Sequence, residues 1–401
     1  MAYILAVNPS VLGSTGMDTT AVLLATALAS CLGTLCMAFM ANLPFALSAG
    51  MGLNAFMAYT VVAGYGYSWQ VALLAVFIEG LIFIVLSLTN IREAIFNAIP
   101  LTLKKGVSVG IGLFIAFIGL QNSGLCVDSA TLVGIISFPE NFHTAGICAL
   151  LTLIGLFFTA VFYTRKMKGA ILYGILLTWI LGMLCQVTGL YVPTPDAGFY
   201  SLFPSWGMTD FSKLGLTFGQ CFNVDFSAVG IVNFIVVIFS FLFVDIFDTL
   251  GTLIGVATKA KMLDKDGKLP GIKPALLADS IATSAGAILG TSTTTTFVES
   301  ASGVAVGGRT GLTALVTGIL FLVSTLFAPI FTAIPSFATA PALIMVGFLM
   351  VGTVTEINFD LDNLTESIPA YLAIIAMPLF YSISEGISLG VISYVLLNVA
   401  A

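Results

Sequence analysis

Residues 290–303 read GTSTTTTFVESASG. Six consecutive hydroxyl residues, Thr291 to Thr296, run into Glu299 between two long apolar stretches. The chain around them is 59% hydrophobic and 8% charged, with a mean hydropathy of +1.11. Soluble domains carry about 25% charged residues, so this composition excludes a soluble globular class. Apolar runs of roughly 20 residues recur along the chain, and in lipid only helices or closed barrels satisfy the backbone. The runs lack the every-second-residue alternation of a barrel strand. The class is an all-α polytopic membrane protein.

Apolar spans are expected near 17–40, 43–63, 68–88, 104–121, 144–164, 169–190, 228–257, 273–290, 311–333, 337–353, 367–384 and 386–401. Residues 1–7 read as the end of one more, giving thirteen to fourteen spans with the first incomplete. Basic residues set the orientation. Arg92, Lys104, Lys105, Arg165, Lys166, Lys168, Lys259, Lys261, Lys265, Lys268, Lys273 and Arg309 all fall on even-numbered connections, which the positive-inside rule places in the cytoplasm. The loops at 122–143 and 191–227 hold only Lys213 and face out. The connection 354–366 lacks a lysine and carries Glu356, Asp360, Asp362 and Glu366, but acidic residues weigh little in this rule.

The sequence repeats. NAIPLTLKKGVSVGIGLFIAFIGL (97–120) resembles TAIPSFATAPALIMVGFLMVGTV (332–354), and KGAILYGILLTWIL (168–181) echoes EGISLGVISYVLLN (385–398). With an odd number of spans per half, one copy is inverted relative to the other, a pattern of secondary transporters whose sites lie where the repeats meet. The hydroxyl run belongs to the second half. Its counterpart by order is LPFALSAGMGLNAFMAY (43–59), where Pro44, Gly50 and Gly52 interrupt a helix. Interrupted segments at matching places point to a binding site. Both are expected to cross the midplane in unwound or strand-like form, in spans 3 and 10.

An ionised acid at a helix centre costs roughly 2.5–3.5 kcal/mol, so each intramembrane carboxylate needs a reason. Asp245 and Asp248 are spaced i, i+3 on one helical face, where two like charges disfavour joint ionisation and favour carrying a proton. Glu299 sits in the interrupted segment, placed to accept hydrogen bonds from a ligand's N–H groups. Asn54 stands near the matching position of the first half; its amide suits a heterocycle edge or an interhelical bond. Glu79, with no acid or break adjoining it in sequence, reads as structural. Asp279, near the start of its span, and Asn8 read as caps or packing contacts. Phe56, Phe247 and Phe297 flank the polar residues, although with 32 phenylalanines any one is more often core. One histidine, His143, and six cysteines without a CxxC pair give no metal site or cofactor. No Walker-type segment is present, and nothing indicates a nucleic-acid partner. An aspartyl protease dyad comes from two facing helices, whereas this pair lies on one.

Five stretches carry a family resemblance: AVNPSVL, NLPFALSAGMGLNAF, FVDIFDTLGTLIGVA, GTSTTTTFVESASGVAVGGRTGLTA and IPAYLAIIAMPLFYSISEGISLG. In this order and over nearly the whole chain they resemble the AzgA-like purine permeases of the nucleobase–ascorbate transporter superfamily. The resemblance implies fourteen spans as two inverted sets of seven, a 7+7 inverted-repeat transporter. The first repeat is 1–190, with 191–227 as an extracellular loop and 228–401 as the second repeat. The core domain is 1–90 with 228–333, and the gate domain 91–190 with 334–401. It also implies uptake of hypoxanthine, adenine or guanine coupled to protons across the plasma membrane, often by a homodimer. Family members begin before the AVNP-like motif and continue past Ala401, so both ends read as cut short. The substrate set it implies, joined to the residues above, is Asn54, Asp245, Glu299, Phe56, Phe297 and Thr296. The proton-coupling set is Asp245, Asp248 and Glu299. Uracil or xanthine on the same fold is the neighbouring alternative. An anion cargo fits less well with three acids at the site.

Overall fold

The computed structural model describes residues 1–89, 100–129, 132–194, 199–204, 207–225, 229–259, 262, 269–297, 299–305, 307–357, 359 and 363–400. Arg92, Lys261, Lys265, Lys268, Asp360, Asp362 and the Ala98–Ile99 pair of the first repeat motif lie outside the described residues. The first half runs α1 (Ile4–Gly13), α2 (Thr19–Cys36), β1 (Leu47–Ala49), α3 (Met51–Ala55, widened through Phe56–Gly64), α4 (Trp69–Leu88), α5 (Leu101–Asn122), α6 (Ile147–Thr164) and α7 (Ala170–Val187). The second runs α8 (Ile231–Lys259), α9 (Ile272–Leu289), β4 (Thr294–Thr296), α10 (Ser300–Ala305), α11 (Gly311–Ser324), α12 (Ser336–Val351), α13 (Leu364–Phe380) and α14 (Ile383–Ala400). Among the described residues, ten helices are long and apolar enough to cross a membrane; Ile4–Gly13, Met51–Gly64 and Leu364–Phe380 are shorter apolar ones.

Each half unwinds at its third element. α9 stops at Gly290, whose φ of +102° is open to glycine and closed to most side chains. The chain then extends through Thr294–Thr296, which pairs antiparallel with Leu47–Ala49. The register sets Leu47 against Thr296, Ser48 against Thr295 and Ala49 against Thr294. Antiparallel pairing is what an inverted repeat delivers, because the two crossings enter from opposite sides. The ladder is extended by Gly50 N–H to Thr293 O and Phe297 N–H to Ala46 O, each at 3.0 Å.

A buried strand in lipid must have its outer edge satisfied as well. For β1, the Thr34 hydroxyl on α2 accepts from Leu47 N–H at 3.0 Å and donates to Leu47 O at 3.1 Å. For β4, Thr283 on α9 donates to Thr294 O at 3.1 Å. The second helix of each half thus supports the strand of its own half. The 7+7 arrangement is visible here in hydrogen bonds.

The repeat also fixes a close crossing. α5 packs along α12, its counterpart in the other half. Gly347 follows Gly112 by 235 residues, the interval that separates Pro335 from Pro100. A Cβ on Gly112 would lie 2.7 Å from Gly347 O, and one on Gly347 would press on Gly112 O. Equivalent glycines of the two halves therefore meet backbone to backbone.

Two elements were not anticipated. The outward segment after α5 contains an antiparallel hairpin, β2 (Cys126–Ser129) with β3 (Leu132–Ile135). The 191–227 segment returns to cap α9: Thr217 donates to Leu289 O at 2.9 Å and Gly219 N–H to Ile288 O at 2.7 Å. It is tied to the start of α2 by Lys213 Nζ, 3.1 Å from Asp18 Oδ2. Burial raises the Asp18 carboxyl, but the Ala21 N–H and the Lys213 ammonium outweigh it and hold the carboxyl below its usual range. A lowered acid stabilises the fold above its unfolded pKa of about 4 and loses that contribution as pH falls through its folded value. Lys213→Ala is expected to lower thermal stability slightly at pH 7, by about 0.2–1 kcal/mol for so exposed a pair. The difference should close as pH falls through the lowered folded value of Asp18, as followed by melting of the detergent-solubilised protein across acid pH; a difference independent of pH would assign it to lost packing.

Candidate functional site

The hydroxyl run is a hub, and four of its six side chains reach out to other elements. Thr291 Oγ1 accepts from Asn8 Nδ2 on α1 at 2.9 Å and lies 3.1 Å from the Thr26 hydroxyl on α2. The Ser292 hydroxyl donates to Asn54 Oδ1 on α3. Thr293 donates to Glu79 Oε2 on α4 at 3.0 Å. Thr295 donates to Asp248 Oδ2 on α8 at 3.3 Å. Four helices of the first half, α1 to α4, and α8 of the second are thereby gathered on one extended segment. A helix could not do this, since its side chains fan out at roughly 100° per residue and its backbone would be self-satisfied.

Glu299 lies three residues beyond β4, where the chain turns into α10. Its Oε1 accepts from the hydroxyl of Tyr3, the residue just before α1, at 2.5 Å, and Tyr3 is fully buried. Phe297 is buried beside Tyr3, ring centroids 6.4 Å apart. Asn54 is completely buried; its oxygen is engaged by Ser292 and its Nδ2 has no protein partner. Gly50 makes the approach of α8 possible, because a Cβ there would come within 2.9 Å of Thr295 Oγ1 and 3.1 Å of Asp248 Oδ2. Thr296 is buried with its hydroxyl unpartnered. Strand alternation puts it with Thr294 on the face opposite Thr295, so Thr295 is the member of the run that reaches an acid of α8. Phe56 is buried edge-on against Phe241 at 4.8 Å.

Asp245 is buried one turn before Thr249, whose hydroxyl lies 2.7 Å from Asp245 Oδ1 and 3.2 Å from both oxygens of Asp279. Asp279 is therefore neither a cap nor near the start of its helix: it is the eighth residue of Ile272–Leu289 and fully buried. Glu79 likewise has a break beside it in space, through Thr293, although none adjoins it in sequence. Asn8 is a packing contact, as expected, and ties α1 to Thr26 and Thr291. Tyr3 escaped the sequence reading, as did the partners of Ser292 and Thr295, because these contacts are remote in sequence; Tyr3 and Glu299 are 296 residues apart. Among the described residues no group of three or more His, Cys, Asp or Glu is placed to hold a metal.

The arrangement offers carboxylates that accept hydrogen bonds, an amide with a free donor and a buried aromatic face, gathered where two interrupted segments pair inside a membrane protein. Residues 1–389 match the model of the permease family. A putative permease, MJ0326, of Methanocaldococcus jannaschii is 47% identical over 400 residues, spanning 100% of this chain and 86% of that protein. A guanine/hypoxanthine permease, PbuG, of Bacillus subtilis is 46% identical over 404 residues, spanning 98% of this chain and 87% of that protein. Among solved structures, the transmembrane domain of a cyanobacterium bicarbonate transporter, BicA, superposes with a TM-score of 0.63 at 15% identity, covering 97% of this chain and 96% of that one. That likeness concerns the fold. A family match over nearly the entire chain, on a helical membrane fold with the site just described, makes this chain a member of the permease family: a multi-pass membrane transporter and not an enzyme.

Proposed function

We propose that the chain takes up purine nucleobases together with protons across the plasma membrane. The observation that carries this reading is the meeting of Glu299, Asp248 and Asn54 around the paired crossings, in a chain 46% identical to a guanine/hypoxanthine permease. Glu299 accepts from the N–H edge of the base, releasing Tyr3. The free Nδ2 of Asn54 donates to a ring nitrogen or exocyclic oxygen. Phe297 supplies the apolar face, with Phe56, near Asn54 in sequence, packed edge-on against Phe241. Thr296 keeps a hydroxyl open to ligand or water, and Thr295 holds Asp248 in place.

The proton is assigned to the Asp245–Thr249–Asp279 group, with Asp248 beside it. A hydroxyl has one proton to donate, so Thr249 donates to one carboxyl group at a time and can accept from the other when that one is protonated. Two buried acids sharing one hydroxyl are placed to pass one proton between them. Helices α1–α4 with α8–α11 form the core that carries the site, and α5–α7 with α12–α14 form the gate it moves against. This division is supported by α4 packing on α9, α2 on α9 and α11, and α5 on α12 and α13.

The test is uptake of radiolabelled hypoxanthine, adenine, guanine, xanthine and uracil in a transport-deficient host, with and without a protonophore. Uptake confined to the first three and abolished by the protonophore is expected. Uptake of xanthine or uracil instead would keep the mechanism and move the cargo. Asp245→Asn is expected to keep base exchange across the membrane while losing accumulation against a gradient. Full protonophore-sensitive accumulation by that variant would remove Asp245 from the coupling.

A further inference from the structure

Outside the buried site, the structure has a cavity of about 410 Å³ between the outer end of α1, the widened part of α3, the last residue of α5 and the turn into α12. All four are outward by the orientation derived from the basic residues. The lining includes Pro9, Ser10, Ser14, Tyr59, Asn122 and Ser336, and no charged side chain. Tyr59 belongs to the core and Asn122 to the gate. They are hydrogen bonded to each other, with 3.4 Å from Tyr59 Oη to Asn122 Oδ1 and 3.3 Å from Nδ2 to Oη. Beside them Tyr381 joins α13 to α14 in a left-handed conformation, φ +55°. Its ring meets Tyr59, Phe114 and Phe117 edge-on at 5.9, 5.4 and 5.9 Å. Thr60 donates to Tyr381 O at 3.3 Å.

The cavity lies on the way to the buried site. Ala6 is part of its wall, and Tyr3, the partner of Glu299, is one helical turn further in, about 5 Å along α1. The volume falls within the roughly 300–1,000 Å³ of small-molecule sites. Serine hydroxyls, one amide that both donates and accepts, a phenolic ring and the absence of charge suit an uncharged, planar, polar heterocycle. They do not suit an anion or an amino acid, which would leave a charge unpaired. Around the cavity the two bodies meet through hydrogen bonds of 3.3–3.4 Å and ring edges, and the Tyr59–Asn122 contact is long enough to exchange for bonds to a ligand.

We propose that this cavity is an outer vestibule that holds a nucleobase before it reaches Glu299, and that the Tyr59–Asn122 contact is the latch between vestibule and site. The proposal rests on the nucleobase reading and adds a second, outer place for the same cargo. Asn122 samples the edge of the base there, and the latch opens when the base replaces Tyr59 as its partner.

Ser10→Cys and, in parallel, Ser336→Cys would be treated on intact cells with a membrane-impermeant methanethiosulfonate, with the parent chain as background for its own cysteines. Modification would be read by gel shift rather than by transport. Both positions are expected to react from outside, and hypoxanthine to slow the reaction at least about threefold, the scale of one net hydrogen bond. That protection is expected to survive Glu299→Gln, which disables the buried site, and to need about 2- to 10-fold more hypoxanthine when Asn122→Ala is added. No reaction at either position would overturn the vestibule. Reaction without protection, or protection that vanishes with Glu299→Gln, would overturn base binding there. Protection by a base that is not a purine, with matching uptake by the parent chain, would sink the purine reading and leave the vestibule standing.

Discussion

Glu299→Gln is expected to reduce hypoxanthine uptake about 10- to 100-fold at unchanged abundance in the membrane. The estimate follows from the 1.5–3 kcal/mol that a hydrogen bond to a charged group contributes. The substitution keeps size and shape but replaces one accepting oxygen by a donating nitrogen. A base N–H and the Tyr3 hydroxyl, 2.5 Å from Oε1, would then compete for the one oxygen left. The loss is expected mainly in binding, so purified protein should show it in equilibrium titration with hypoxanthine. Tyr3→Phe separates the two roles of the carboxylate. It removes the internal partner and leaves the acid, so affinity for the base should fall by far less than in Glu299→Gln, or rise. Uptake by Glu299→Gln within about threefold of the parent, well short of one charged hydrogen bond, would remove Glu299 from the ligand shell.

The second large effect is on folding. Gly347→Leu is expected to abolish folded protein, leaving aggregate on size-exclusion chromatography in mild detergent. Overpacking a core costs about 1–3 kcal/mol where side chains can shift. Here the obstacle is the main chain of α5: a Cβ on Gly347 would press on Gly112 O and come within 2.9 Å of Ala116 N. Neither helix relaxes without moving the other repeat's framework. Gly352→Ala, at the end of the same helix with nothing within 4 Å of the added carbon, is the matched control and should elute normally. Monodisperse, transport-competent Gly347→Leu would mean that the two helices separate at little cost.

Most of the architecture was legible because lipid imposes a strict grammar. Apolar runs of the right length became helices within a few residues of their expected bounds, and Pro44, Gly50 and the hydroxyl run marked the two interrupted segments. The acids were legible for the same reason: charge inside a membrane is too costly to be incidental. Their partners were not. Asp279 read as a cap or a packing contact because helix position is local information, while its contact with Thr249, which bears out the second alternative, joins helices 30 residues apart in sequence. Glu79 read as remote from any break because Thr293 reaches it across 214 residues. Tyr3 is an ordinary aromatic on an apolar helix until its neighbour is seen. The β2–β3 hairpin leaves little pattern, since its two strands of four residues are too short to show alternation against a loop background.

The pairing of β1 with β4 has a consequence for the lineage as a whole. The bonds that join the two halves at the midplane run from main chain to main chain and are indifferent to which side chains the crossings display. A duplicated ancestor with that ladder could change every group facing the cargo without loosening the joint that holds the cargo's seat. On the proposed reading, drift at Asn54, Asp248 or Glu299 is expected to alter what is carried, whereas drift at Thr34 or Thr283, the residues that support each strand from behind, is expected to decide whether anything is carried at all.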